Sequence, residues 1–227
     1  MKRCALLLGA LACATTTADA QATRGRNWTI FNATGWMAVS GAGSGTLMGE
    51  RIPGLFGLRF RLEDGDWWMG IELEAWAARA TQAGRDSIIA RSLRINYNPT
   101  GRASFYSTTL SFTARRDVWH AGPADAYLIG TLGASMSGGR IVGKCGTNVA
   151  GYPVCTEPPL DTRGPGMAVA AGVGGGVTVR YSDLLKPIPK WASWVLGERV
   201  ILETRLASQE ATEGRLTSAT VFLGIGW

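Results

Sequence analysis

Thr217-Ser-Ala-Thr-Val-Phe-Leu-Gly-Ile-Gly-Trp227, the last eleven residues of a 227-residue chain, fall into two rows when every second position is read. Thr217, Ala219, Val221, Leu223, Ile225 and Trp227 form one row; Ser218, Thr220, Phe222, Gly224 and Gly226 form the other. Successive side chains of a strand point to opposite faces, so a period of two marks a β-strand. The first row becomes steadily more apolar and ends on an aromatic ring. A strand immersed in lipid has reason to do this, because an indole ring is favoured at the bilayer interface.

The same alternation recurs upstream. In Gly54–Leu62, Phe56, Leu58, Phe60 and Leu62 oppose Gly57, Arg59 and Arg61, and Glu63-Asp-Gly-Asp66 reads as a tight turn. In Trp67–Arg79, Trp67, Met69, Ile71, Leu73, Ala75 and Ala77 oppose Trp68, Gly70, Glu72, Glu74 and Trp76. Gly166–Tyr181 places Met167, Val169, Ala171, Val173, Val177, Val179 and Tyr181 opposite small residues and Arg180. Arg199–Ala207 places Val200, Leu202, Thr204 and Leu206 opposite Arg199, Ile201, Glu203 and Arg205. Trp28–Ser40, Ile88–Tyr97, Ser104–Ala114 and Ala126–Met136 alternate less cleanly. No apolar run reaches the ~18–20 residues of a transmembrane helix. The glycine run in Gly172–Gly176 superficially matches a dinucleotide loop, but β-branched residues follow it where that motif requires a helix.

Lipid cannot cheaply accommodate charge, so the alternation sends the charged rows inward. The expected interior ionic cluster is Arg59, Arg61, Glu72, Glu74, Arg180, Glu203 and Arg205. In a narrow barrel such residues fill the lumen as Arg–carboxylate pairs; a selectivity ring is the alternative. Trp67, Tyr97, Tyr127, Tyr181 and Trp227 are expected as interface girdles. Trp68 and Trp76 point inward, as core filling or as the lining of a small apolar site. Trp191 and Trp194, with Lys186 and Lys190, are expected either at the headgroups or folded over a barrel mouth.

The start of the chain reads as a signal peptide. Met1-Lys2-Arg3 is basic, Cys4–Ala14 is apolar, and Ala18-Asp19-Ala20 fits small-x-small cleavage. The expected division is 1–20 as signal peptide and 21–227 as one barrel domain; lipidation at Cys13 is the competing reading. Cleavage removes Lys2, Arg3 and Asp19, lowering the formal charge from +6 to +5. The basic residues are scattered through strands rather than clustered, which suits anionic lipid headgroups better than nucleic acid. Two cysteines remain, Cys145 and Cys155, in a turn-rich stretch. An oxidising compartment implies one disulfide between them, inside an outer loop of roughly Ser137–Pro165. His120, the only histidine, reads as a solvated turn residue, so neither a metal site nor a cofactor is expected. No serine stands directly after it, so the local His–Ser pairing of barrel lipid hydrolases is absent.

Nine candidate segments conflict with the even strand number of bacterial barrels, so Ile88–Tyr97 is assigned to an extended outer hairpin. The fold expected is an all-β, antiparallel, up-and-down transmembrane barrel of eight strands. The signal peptide, alternating strands, cysteine pair and terminal aromatic together resemble the small outer-membrane β-barrel proteins, the group of OmpA-like, OmpX-like and opacity-type barrels. Val221, Leu223, Ile225 and Trp227 resemble the C-terminal signal read by the outer-membrane assembly machinery. The resemblance implies a monomer in the outer membrane of a Gram-negative bacterium, in contact with lipid and lipopolysaccharide. It implies a non-enzymatic role in envelope stability or surface contacts. A narrow channel or carrier for small or apolar solutes is the alternative, and a lipid hydrolase the third reading.

Overall fold

The computed structural model describes residues 27–41, 48–62, 65–91, 101–147, 153–157, 160–163, 167–181, 197–211 and 214–227. The signal-peptide reading of 1–20, Cys13, Tyr97 and the tryptophans at 191 and 194 lie outside the described residues. Eight long strands carry the fold: β1 (Trp28–Gly41), β2 (Met48–Arg61), β3 (Trp67–Ala80), β4 (Ala103–Ala121), β5 (Ala124–Ile141), β9 (Ala168–Arg180), β10 (Arg199–Ala211) and β11 (Gly214–Gly226). Each pairs antiparallel with the next, and β11 returns to β1, closing the ring. Closure leaves no sheet edge, which is what lets a sheet stand in hydrocarbon without unpaired backbone groups.

The lower end holds the β2–β3 and β4–β5 turns, the β9–β10 connection, Asn27 and Trp227. The upper end holds the β1–β2, β3–β4 and β5–β9 connections and the β10–β11 turn at 212–213, while the β9–β10 connection at the lower end spans 181–198. The β3–β4 connection carries α1 (Gln82–Arg91); the β5–β9 connection carries β6 (Lys144–Thr147), β7 (Pro153–Glu157) and β8 (Leu160–Arg163). Strand β8 adds to the upper end of β5 outside the ring, with Gly138 opposite Arg163 and Ile141 opposite Leu160. β6 and β7 form a separate ribbon in which Cys145 stands directly opposite Cys155.

The faces sort as the alternation requires. Val169, Val173, Leu202 and Leu223 are 71%, 65%, 49% and 51% exposed on the outside of the ring. A soluble lipocalin-like barrel would hold these residues inside, so that arrangement is excluded. The outward row of β3 is apolar from Trp67 to Ala77. At about 3.3 Å per residue and about 40° tilt this row is about 25 Å tall, the height of a bilayer's hydrocarbon core as barrels meet it. Lipid is therefore the solvent of this surface, and the chain is a transmembrane barrel. Among the described residues no helix is long and apolar enough to cross a membrane; the strands do so.

Three expectations about the order and bounds of the elements need correction. Ile88–Tyr97 does not begin as a hairpin strand: Gln82–Arg91 is helical, started by Thr81, whose hydroxyl accepts the Gly84 amide at 3.3 Å. The side chain at an N-cap satisfies a free helix amide, and that local bond outweighs the weak alternation. The outer connection starts later than Ser137, because β5 continues to Ile141 and pairs with both β4 and β8 there. His120 lies in β4 rather than in the turn; the turn is Gly122-Pro123, where Gly122 adopts φ +55°, a left-handed conformation that suits glycine.

Candidate functional site

The lumen is stacked in layers. Its central layer comes from four inward positions on three strands: Arg59 on β2, Glu72 on β3, and Glu203 and Arg205 on β10. All four are buried. Arg59 Nε donates to Glu72 Oε1 at 2.8 Å, and its Nη2 donates to Glu203 Oε2 at 3.0 Å. Arg205 Nη2 donates to Glu72 Oε2 at 2.5 Å, and Arg205 Nε pairs with Glu203 Oε1. Two cations and two anions thus form a closed ring across the barrel, with each carboxylate bridging both guanidiniums. Charges this far from water survive only when they are paired; here every carboxylate oxygen of the ring faces a guanidinium nitrogen, and Arg59 Nη1 alone of the ring's donors is buried without a hydrogen-bond partner among the described residues.

Aromatic rings complete this layer. Arg59 lies 4.3 Å from the centre of the Phe31 ring, and Arg205 lies 5.4 Å from that of Phe222. Tyr127 donates its hydroxyl to Glu203 Oε2 at 2.6 Å. Glycines make the room: a Cβ at Gly176 would lie 2.6 Å from Tyr127 Oη, and one at Gly57 would lie 2.4 Å from the Phe31 ring. The glycine run of β9 therefore admits a luminal tyrosine rather than a phosphate.

Below the quartet, Arg115 pairs with Asp117 at 2.7 Å, and Asp117 also accepts the Trp68 indole N–H at 2.8 Å. Arg115 also stacks on Tyr127, 3.8 Å from its ring centre. Arg61, Arg115 and Arg199 all lie within 6 Å of the Trp68 ring. Above the quartet, Gln209 bridges Ser107 and Thr109 through its side-chain amide. The upper mouth is apolar, filled by Met37, Trp76, Phe105, Ile141, Leu160 and Leu216, with Ile88 of α1 seated among them at 1% exposure. Helix α1 thus stoppers the barrel with one side chain.

The seven residues expected as one ionic cluster separate by height. Arg59, Glu72, Glu203 and Arg205 meet. Glu74, one inward step above Glu72, is half-buried and makes no ion pair among the described residues. Arg61 turns to the lower rim and pairs with Asp66 at 3.7 Å. Arg180, also at the lower rim, donates to the Gly122 carbonyl at 3.3 Å. Trp68 and Trp76 do point inward. Tyr127 is not an interface residue but a luminal one, and the outward parity of Leu128, Leu132 and Met136 is the signal that reveals it. Arg115 and Asp117 were missed because the expected strand stopped at Ala114. His120 pairs with Asp125 at 2.9 Å and stands 3.6 Å from Asp66 on the lower rim. Among the described residues no group of three or more His, Cys, Asp or Glu side chains is placed to hold a metal.

No protein-family model matches the sequence, and no curated protein matches it. Among solved structures, the chain is similar to Ail, the attachment invasion locus protein of Yersinia pestis, solved with the heparin analogue sucrose octasulfate. The identity is 9%, the TM-score 0.49, and the match covers 89% of this chain and 99% of that one. It is also similar to Neisserial surface protein A, at 12% identity and TM-score 0.45, covering 88% and 96%. The N-terminal β-barrel domain of Pseudomonas aeruginosa OprF matches at 12% identity and TM-score 0.36, covering 89% and 98%.

Proposed function

We propose that this chain is a non-enzymatic outer-membrane barrel protein of a Gram-negative bacterium, exported by a cleaved signal peptide. Its lumen is a structural core, and its upper loops make its contacts. The observation that carries this reading is the filled lumen: a charge-neutral quartet across the middle and an apolar stopper at the upper mouth. A narrow channel needs a wetted path, and an eight-stranded ring has interior space for little beyond its own side chains. The outward row Val221, Leu223, Ile225 and Trp227 is the surface offered to the assembly machinery, and the protein works as a monomer. Purified barrel added to planar lipid bilayers should produce no stepwise conductance, whatever the salt. Steady single-channel steps that persist in a protein of verified fold would instead establish the channel reading.

The upper end faces the outside of the cell in this reading, and Cys145 and Cys155 form a disulfide there. The direct opposition of the two residues in the β6–β7 register supports the bond. Closing so short a loop is worth about 2–3 kcal/mol in the chain-entropy account. On intact cells, a membrane-impermeant maleimide should label the pair only after reduction. Labelling without reduction would exclude the bond; labelling only after lysis of the outer membrane would put this end on the periplasmic side.

A further inference from the structure

We infer that a groove slanting across the outer wall holds an acyl chain of a glycerophospholipid whose phosphate rests on Arg116. That this lipid belongs to the periplasmic leaflet rests on the orientation of the barrel proposed above. The groove, of about 1270 Å³, crosses β4, β5, β9, β10, β11 and β1, with Trp67 and Arg116 at one end and Trp36 at the other. Gly130, Gly175 and Ala219 lower its floor to the backbone, while Leu128, Val173 and Leu206 beside them stand exposed. Its outward hydroxyl, on Thr204, is satisfied within the wall, donating to the Gly175 carbonyl at 3.2 Å. The groove therefore presents an apolar surface to whatever lies in it.

The strand register fixes how steeply the groove climbs. Register partners followed from Trp28 of β1 through Phe60, Met69 and Ala114, and onward round the ring, return to β1 at Ala38, ten residues higher. At about 3.3 Å per residue and about 40° tilt, the row climbs about 25 Å over the eight strands of the ring, or about 3 Å per strand. Arg116 on β4 and Trp36 on β1 lie on a parallel row, five strands apart. The groove thus rises about 15 Å, half of a hydrocarbon core of about 30 Å. A chain anchored at the lower headgroups runs out where its own leaflet ends.

Charge identifies the occupant. Arg116 is exposed at the lower end, 5.6 Å from the centre of the Trp67 ring, and makes no ion pair among the described residues. No carboxylate lines the groove; Arg205, the other charge there, has its side chain in the lumen and belongs to the quartet. A second copy docked groove to groove would bring Arg116 no counter-charge. A lipid phosphate does, and a guanidinium holds it through charge-assisted hydrogen bonds. The Trp67 ring orients the cation beforehand, which lowers the entropy cost of binding.

The test uses the full-length barrel in detergent micelles, analysed by native mass spectrometry with phosphatidylglycerol or with the diacylglycerol of the same chains. Wild-type protein should retain phosphatidylglycerol about tenfold more strongly, and R116Q should lose about that factor. Gly130→Leu fills the groove without strain, since a Cβ there meets nothing within 4 Å. It should weaken retention of both lipids by about tenfold. Gly54→Leu makes the same change on the outer face of β2, away from the groove, where a Cβ meets only the Ala75 carbonyl oxygen at 3.8 Å; it should leave both unchanged. Heat-modifiability on gels verifies folding of each variant. Equal retention of the two lipids, undiminished retention by R116Q, or equal effects of the two leucine variants would overturn the site. A dimer that Gly130→Leu disperses would seat a second copy in the groove and overturn the lipid assignment. Orientation is read separately, by the maleimide labelling of Cys145 and Cys155. Labelling only after lysis would refute the periplasmic leaflet while leaving the groove and its phosphate contact in place.

Discussion

Arg59→Ala should destabilise the barrel by about 3–5 kcal/mol, the cost of stranding buried charge. Arg59 contacts both carboxylates of the quartet, and its loss leaves Glu72 and Glu203 sharing Arg205 alone. The remaining carboxylates are buried from solvent, and the Phe31 ring loses the cation above it. Urea titration of the protein folded into lipid vesicles, followed by tryptophan fluorescence and gel mobility, measures the loss. Arg59→Met combined with Glu72→Leu restores neutrality with one Arg–Glu pair, and should recover most of the stability. If the double variant is as unstable as Arg59→Ala, the charge balance is not the governing term. A single-variant loss below about 1 kcal/mol, the level of an exposed pair, would refute the structural role of the quartet.

Phe112→Arg should cost about 2–4 kcal/mol, the penalty for a cation at mid-bilayer on a barrel's outer face. Phe112 is 68% exposed and pairs in register with Ile71 and Leu132, both of which also face outward. Val118→Arg, near the lower edge of the same strand, should cost about 0–1 kcal/mol, because the penalty fades towards the interface. The native chain already places a cation there: Arg116 lies beside Trp67, 5.6 Å from its ring. The same urea titration measures both variants. Equal penalties at the two depths would mean that the outer surface does not meet hydrocarbon.

Much of this structure is written in parity. Wherever large apolar side chains alternate with small or charged ones, as in Trp67–Arg79 and Arg199–Ala207, face and register follow from the rows alone. The membership of the quartet follows too, since only inward charges are candidates. Which of them meet does not follow, because height within the lumen depends on how the strands are staggered around the ring. Arg61 and Arg180 share the inward parity of Arg59 and Arg205 but sit at the rim. Parity fails where both rows are small. Ala126, Gly130 and Ala134 give β5 a faint outer face, and Tyr127 is easily placed on the wrong side. It also fails where a local bond decides, as at the Thr81 cap of α1.

The seam of the ring constrains how this protein reaches its native state. Phe31 pairs with Gly226, and Trp227 exchanges both backbone hydrogen bonds with Ile30, so the two strands most distant in the chain must find each other. The entropy of closing so long a loop is modest, because each doubling of length adds only about 0.6 kcal/mol. The effect on rate is larger, since pairings distant in sequence slow folding. Until the seam closes, β1 and β11 each present a row of unpaired amides and carbonyls, and each such group costs several kcal/mol in hydrocarbon. A partial sheet is thus excluded from the bilayer interior. Insertion and closure are thereby coupled through the β1–β11 seam.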